Sequence, residues 1–323
     1  MRGGRLSVKM SAGTGRGRAG SEGRAMRRSG ALGIVASIGA IALAASTLAA
    51  CDPPIETPDP GAVAMTYRAR QSSAPQPEVP EERLRYFGGS LLQNVEITPV
   101  QYGTWSCGDG SPTPEITKPA LSAYLDMLVT SPYIDFLGQY DARGQVIGHG
   151  TVDAWTTITP AAINNTKTIT NKKIQTELVN QITAGALPMP TPNRLYVLFF
   201  RSKQTISYGG VTSVNTFCAY HQALLTTING QTTPVYYAVM PYEVKTLGCQ
   251  WVYTPLGALT TTASHEIAEA ITDPGAGKVS FGWLTKNQYN EIADICLGRV
   301  GMLGGFQVQA LWSNADKACV VPS

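Results

Sequence analysis

The stretch TTASHEIAEAITDP at residues 261–274 places chemically capable side chains at close spacing. It holds His265, one of three histidines in the chain, followed by Glu266 and Glu269. Residues four apart in an α-helix differ by only about 40° around the axis, so His265 and Glu269 would project from one face, one turn apart. Two side chains placed in this way can chelate one metal ion.

The HExxE pattern is similar to the zinc-peptidase pattern HExxH, in which the glutamate after the first histidine acts on a metal-bound water. Here Glu269 stands where the second histidine would be. A carboxylate can bind zinc, but it makes the site more acidic and also admits manganese or calcium. The pattern therefore predicts a zinc site, with manganese or calcium as alternatives, and Glu266 as the catalytic general base.

A third ligand is available downstream in YNEIADIC, where Glu291 and Asp294 stand three residues apart. On a helical turn they would share a face, and either could complete the metal site. Asp273 is also within reach along the helix, but the TDP sequence is typical of a helix end and favours a capping role.

The alternative is an ordinary amphipathic helix, with both glutamates in solvent and His265 in a structural hydrogen bond. Against this, the intervening positions are small or apolar, so the helix is expected to pack on more than one side. Acidic side chains on such a helix need partners.

His221, in CAYHQ, could be a ligand or an acid–base group, but its place beside an expected disulfide favours a structural hydrogen bond.

The N-terminal region has the order of an export signal. A basic MRRSG from Met26 precedes an apolar run from Ala31, and LAAC ends it at Cys51. LAAC resembles a bacterial lipobox, which predicts a signal peptide over residues 1–50, with Met26 as an alternative start, and lipidation of Cys51. Residues 52–82 are rich in proline and poor in large apolar groups, so residues 51–82 are expected to form a tether, followed by a globular domain over 83–323.

Charge excludes one class of partner. The chain has a formal net charge of +3, but eight of its 25 basic residues and only one of its 22 acidic residues lie in residues 1–50. The remainder is therefore acidic and gives no support to nucleic-acid binding. The expected partners are the membrane, through lipid on Cys51, and a peptide or cell-wall polymer. The expected location is the cell envelope, on the extracytoplasmic side.

Five cysteines remain once Cys51 is set aside. In an oxidising compartment they allow up to two disulfides and one odd thiol. Our interpretation pairs Cys218 with Cys249 and Cys296 with Cys319. Their separations do not match the closely paired cysteines of a structural zinc site.

Strand patterns and helix patterns are mixed along the domain. NVEITPVQYGTW, NRLYVLFF, TFCAYHQALLTTI and PVYYAVMPY favour strands, and FQVQALWS favours a last strand. KPALSAYLDMLVTS and a segment ending near Gly185 favour helices that precede the SHEIAEAIT helix. Together these patterns predict a single α+β (mixed α/β) domain that is zincin-like, with a sheet and a late helix that carries the HExxE residues.

Several of these segments together resemble the EXORDIUM-like, or phosphate-induced protein 1, family of secreted plant proteins, which has bacterial members. The matching stretches are RYFGGSLLQNVEITPVQYGTW, RLYVLFF, FCAYHQA, ASHEIAEAITDP, EIADIC and FQVQALWSNADKAC, over nearly all of residues 84–320. The resemblance implies one cell-wall-associated or extracellular domain and supports the cysteine pairing, but it brings no settled activity. Residues 142–185 depart from the plant pattern, and Cys107 has no counterpart in it.

Two functions therefore follow as hypotheses. The first is a metal-dependent hydrolase, most plausibly a zincin-like peptidase, with His265, Glu269 and Glu291 or Asp294 as ligands. The second is a lipid-tethered surface module that binds a polymer or a protein and catalyses nothing.

Overall fold

The computed structural model describes residues 83–105, 116–214, 217–242, 254–276, 278–286 and 290–323. The expected signal peptide and tether, with Cys51, lie outside these ranges, as do Cys107 and Cys249. The described residues combine helices with strands, which confirms the mixed α+β class. None of the helices within them has both the length and the apolar character needed to cross a membrane.

The α-helices of the described residues are α1 (Lys118–Val129), α2 (Pro132–Leu137), α3 (Asn171–Thr183) and α4 (Pro255–Thr272). Short 3-10 helices span Gly138–Tyr140, Ala162–Asn164 and Asp294–Cys296. The strands are β1 (Leu84–Tyr86), β2 (Asn94–Tyr102), β3 (Gly148–Val152), β4 (Thr156–Ile158), β5 (Thr168–Thr170), β6 (Arg194–Phe199), β7 (Thr205–Tyr208), β8 (Val211–Thr212), β9 (Tyr220–Ile228), β10 (Gln231–Met240), β11 (Trp283–Thr285), β12 (Val300–Leu303), β13 (Phe306–Gln309), β14 (Leu311–Ser313) and β15 (Ala318–Val320).

A central sheet provides the base on which the candidate site is built. Its strands lie in the order β3, β2, β6, β10 and β9, and β4 also pairs with β2. All neighbours are parallel except at one edge, where β9 runs antiparallel to β10. In this register His221 on β9 lies opposite Ala238 on β10. The smaller sheets pair β1 with β11, β12 with β13, β14 with β15, and β7 with both β5 and β8.

Helices cover both faces of the central sheet. Alternate residues of β6 point to opposite faces, as the period of a strand requires. Leu195, Val197 and Phe199 join the apolar cluster formed with α1, α2 and α4. Tyr196 and Leu198 join a second cluster with α3. The continuous apolar run of this strand, buried on both faces, is thus explained.

Helix α4 is buried along nearly its whole length. The hydroxyl of Thr254 caps its start by accepting a hydrogen bond of 3.0 Å from Gly257 N, and Pro255 occupies the first turn. The first half is rich in threonine and also contains glycine, which are weak helix formers, so tertiary packing holds it in place. The helix consequently begins at Pro255, well before the SHEIAEAIT segment that the sequence predicts.

The C-terminal segment differs from its prediction in one respect. FQVQALWS forms two strands rather than one, because β13 pairs with β12 while β14 pairs with β15. Between them Ala310 N donates to the carbonyl of Arg299. The segment therefore passes from one small sheet to the next while β13 packs against α4.

Candidate metal centre

His265 and Glu269 lie on one face of α4, as their spacing predicts. Nε2 of His265 is 3.1 Å from Oε1 of Glu269. The side chain of Glu269 is only 4% exposed, whereas that of His265 is 12% exposed. The pair is therefore largely buried and does not lie on the solvent side of the helix.

Asp294 joins this pair from a distant part of the chain. Its Oδ1 lies 3.7 Å from Nε2 of His265, and its backbone N–H donates a 3.1 Å hydrogen bond to Oε1 of Glu269. His265, Glu269 and Asp294 each offer one donor atom, and these atoms all lie within 4.8 Å of one another. Three of the predicted ligands are thus close enough to hold one ion.

Glu291 lies before the 3-10 helix that begins at Asp294, so the expected common helical turn is wrong. Both side chains nevertheless line the same cavity, and Glu291 N donates to Oδ2 of Asp294 at 3.3 Å. Oε1 of Glu291 lies 3.3 Å from Nε2 of His221. Glu291 is therefore a neighbour of the second histidine within the cavity.

His221 lies inside the cavity, where the sequence favoured only a structural hydrogen bond. It projects from the edge strand β9 toward α4, and its Nδ1 is 3.3 Å from Oε2 of Glu266 and 3.7 Å from Oε2 of Glu269. These three residues form a second group whose donor atoms lie within 4.8 Å of one another. The available signal was the position of His221 on a strand facing the helix.

Each imidazole also has a partner on its other nitrogen. Nδ1 of His265 lies 3.1 Å from Oε1 of Gln309, whose Nε2 donates to the carbonyl of Ala293 at 2.7 Å. Nε2 of His221 lies 3.2 Å from the carbonyl oxygen of Asp273. Gln309 thus connects His265 to the residue that precedes Asp294. Sequence reasoning missed Gln309, because nothing in FQVQ distinguishes it from a surface glutamine.

Asp273 is the C-cap residue of α4, in agreement with the capping role that the TDP sequence favours. Its Oδ1 accepts a 2.7 Å hydrogen bond from Gly282 N. A Cβ at position 282 would meet the carbonyl oxygen of Thr272 at 2.1 Å, so only glycine allows this close approach. The contact holds the segment before β11 against the end of the helix.

These groups line a cavity of about 370 Å³. Five carboxyl groups and two imidazoles contribute to its wall, from Glu266, Glu269, Asp273, Glu291, Asp294, His221 and His265. The side chain of Asp294 is 43% exposed, so the cavity reaches solvent on that side. The His221 side is closed, since its side chain is 3% exposed.

The acidic surroundings raise the pKa of both histidines. Burial alone would lower the pKa of His221, but the carboxylates of Glu291 and Glu266 reverse this and hold it well above 6.5. For His265, burial is likewise outweighed, mainly by Glu269, and its pKa also lies well above 6.5. Without a cation, the imidazoles therefore tend to bind protons at neutral pH.

The pKa values of two carboxyl groups, those of Glu269 and Asp273, are also raised. Burial raises the pKa of Glu269 well above its ordinary value, with His265 opposing the shift and Asp294 adding to it. Burial and the neighbouring Glu291 raise the pKa of Asp273 to about 6. Like charges brought together in a buried place retain protons unless a cation replaces them.

The donor set is compatible with a divalent cation. Imidazole nitrogens and carboxylate oxygens are common zinc ligands and also suit manganese. Calcium prefers six to eight oxygen ligands, so the histidines make it a poorer match. The residues brought together here could thus hold a metal ion.

A disulfide joins Cys296 to Cys319, as the sequence interpretation has it. Cys296 ends the 3-10 helix that begins at Asp294, so the bond ties this ligand segment to β15. Cys218 is also disulfide-bonded, while its expected partner Cys249 lies outside the described residues.

Comparison with known proteins adds no family assignment: no family model, curated protein or solved structure matches the chain.

Proposed function

We propose that the protein is a metal-dependent hydrolase of zincin-like peptidase type, with an ion held by His265, Glu269 and Asp294. One observation carries this proposal: donor atoms from two distant segments converge within 4.8 Å at the wall of a cavity that reaches solvent. Such convergence of buried, like-charged groups costs stability unless a cation offsets it. Proteins tolerate it mainly at functional sites.

The zincin-like arrangement is supported by the position of α4. This helix carries the HExxE residues and packs against β9 and β10, so that the antiparallel edge strand faces the candidate ligands. The substitution of Glu269 for the second histidine keeps a donor at the required place on the helix face.

The residues around the ion would divide the chemistry among them. When bound, a divalent cation would lower the pKa of the water that it coordinates and polarise the carbonyl of a substrate. Glu266 offers a carboxylate oxygen within 4.8 Å of Glu269 and is placed to take up the proton of an attacking water. His221, 3.3 Å from Glu266, fixes the orientation of that carboxylate. Gln309 holds His265 with Nε2 turned toward Glu269.

The test begins with the metal content of the full chain, purified in detergent after growth in metal-replete medium. We expect stoichiometric zinc or manganese, with calcium as a weaker candidate, and chelator-sensitive hydrolysis of an unfolded protein such as casein. Glu266→Gln should lower turnover by at least about 100-fold while the folded state persists. Glu96→Gln is the matched control, because Glu96 pairs with Arg194 away from the cavity and should leave turnover unchanged.

Two results would overturn this assignment. Protein without stoichiometric zinc, manganese or calcium would remove the metal site. Bound metal without any chelator-sensitive turnover would leave the non-catalytic cell-surface binding module as the better description.

We also propose, from sequence features alone, that the protein is an EXORDIUM-like lipoprotein anchored outside the cytoplasm through Cys51. Cells given radiolabelled palmitate should label the protein, and Cys51→Ala should abolish the label. An unlabelled protein that is recovered in the membrane-free fraction would contradict the lipid anchor.

A further inference from the structure

We propose that the cavity holds two divalent cations, which share Glu269 as a bridging ligand. One cation takes the group of His265, Glu269 and Asp294, and the second takes the group of His221, Glu266 and Glu269. This inference rests on the proposed function, because it extends the metal centre from one ion to two.

Glu269 is placed between the two groups with one oxygen toward each. Its Oε1 lies 3.1 Å from Nε2 of His265, and its Oε2 lies 3.7 Å from Nδ1 of His221. A carboxylate that presents its two oxygens to two imidazoles has the geometry of a bridge. In two-metal hydrolytic sites the ions lie about 3.5–4 Å apart, a separation that one carboxylate can span.

Each imidazole has one ring nitrogen that faces Glu269, called here the inner nitrogen, and a second one, the outer nitrogen, that contacts other groups. The nitrogen facing Glu269 is Nε2 in His265 and Nδ1 in His221. The outer nitrogen has an acceptor in each case: Oε1 of Gln309 for His265, and for His221 the carbonyl of Asp273, with Oε1 of Glu291 at a similar distance. An outer N–H bonded in this way leaves the inner nitrogen with its lone pair, as a metal ligand requires. Two histidines are therefore prepared as ligands, in two separate groups.

Charge balance also favours a second cation. Five carboxyl groups line the cavity, and one divalent cation together with a proton on His221 would offset three of their negative charges. A second ion in place of that proton would bring the offset to four. The His221 group is the more enclosed half of the cavity, where an unbalanced negative charge costs most.

The second ion gives new roles to two acids. Glu266, the proton acceptor in a centre with one ion, becomes a ligand in a centre with two. Glu291, whose Oε1 is 3.3 Å from Nε2 of His221, becomes an outer partner that orients this imidazole. In such a centre one cation would lower the pKa of the attacking water and the other would polarise the scissile carbonyl.

The stoichiometry of the full chain in detergent tests the inference. Metal-stripped protein titrated with Zn²⁺ should bind about two equivalents per chain. His221→Ala and His265→Ala should each reduce this to about one, and His149→Ala should not change it, since this histidine is exposed and pairs with Asp135. Glu266→Gln should also lose about one equivalent.

Loading with Mn²⁺ provides a measurement that needs no variant. Two ions bridged by a carboxylate should give a spin-coupled electron paramagnetic resonance signal, in contrast to that of isolated Mn²⁺. Binding of only one equivalent of Zn²⁺ by the unaltered protein, unchanged in His221→Ala, together with an uncoupled Mn²⁺ signal, would overturn the second ion and keep the proposed function. Failure to bind any Zn²⁺, Mn²⁺ or Ca²⁺ would overturn both.

Discussion

Glu177 and Glu269 are buried glutamates on helices that cover opposite faces of the central sheet, α3 and α4. The exposed fraction is nearly the same for both residues, 2% for Glu177 and 3% for Glu269. The oxygens of Glu177 accept hydrogen bonds from neutral donors: Ala161 N, Asn164 Nδ2 and Gln181 Nε2. Glu269 instead faces two imidazoles and stands among other carboxylates.

The comparison shows that the partners of a buried carboxylate can distinguish a structural role from a binding role. Neutral N–H donors satisfy Glu177 and leave nothing for a ligand to add. The surroundings of Glu269 remain incompletely balanced by protein groups alone, which is typical of a binding site. Glu177 is therefore a structural residue, and Glu269 is a candidate ligand. Matched changes at the two positions can separate these roles.

The largest expected effect is the loss of metal binding in Glu269→Gln. An amide cannot replace the bridging carboxylate, so we expect Zn²⁺ affinity to fall by about 1,000-fold, or about 4 kcal/mol. The free energy of unfolding of the metal-free protein should fall by less than about 1 kcal/mol or rise, because repulsion from Asp294 is relieved. Titration calorimetry and urea denaturation measure the two quantities. Unchanged affinity with a large loss of stability would make Glu269 the structural residue.

Glu177→Gln should give the opposite pattern. The side-chain NH₂ of the new glutamine would face an N–H donor whose hydrogen bond the carboxylate accepted, so a buried donor would lose its acceptor. The free energy of unfolding should therefore fall by about 3 kcal/mol. Metal content per folded chain should not change. The same two measurements apply, and a loss of metal from folded Glu177→Gln protein would contradict the distinction between the two sheet faces.

Gln309→Leu tests a neutral side-chain amide that contacts the candidate ligand His265. It removes the acceptor for Nδ1 of His265 and the donor to Ala293. Outer partners of this kind contribute about 10- to 100-fold in metal affinity, so we expect a loss of about 1.4–2.7 kcal/mol in Zn²⁺ binding. Gln307→Leu is the control, two residues away on the same strand. Equal effects of the two changes would rule out a specific role for Gln309.

The smallest effect concerns pH. The pKa values of His221, His265 and Glu269 lie well above their ordinary values, and that of Asp273 is raised to about 6. The folded state therefore binds more protons than the unfolded state, so stability falls as pH rises from about 4 through and beyond 6.5. We expect the metal-free protein to lose about 1 kcal/mol or more over this range.

Urea denaturation with a chelator present, at several pH values, measures this slope. Glu269→Gln should flatten it, and Glu177→Gln should leave it unchanged. A slope that is equal in the unaltered protein and in Glu269→Gln would show that the cavity does not control the pH dependence.

Local sequence predicts much of this fold. Apolar spacing indicates α1, the continuous apolar run indicates β6, and HExxE indicates the shared face of His265 and Glu269, each from neighbouring residues alone. Glu291 was misplaced because the helical turn assumed for it depends on where the 3-10 helix starts. His221 and Gln309 reach the cavity through sheet pairing and long-range packing, which no local pattern encodes. The threonine-rich start of α4 likewise depends on tertiary burial.

The disulfide between Cys296 and Cys319 links the position of Asp294 to the redox state of the chain. Asp294 opens the short helix that Cys296 closes, so its donor is held in place by a bond that forms only under oxidising conditions. In a reducing solution this segment loses its link to β15, and Asp294 should be less firmly held beside His265 and Glu269.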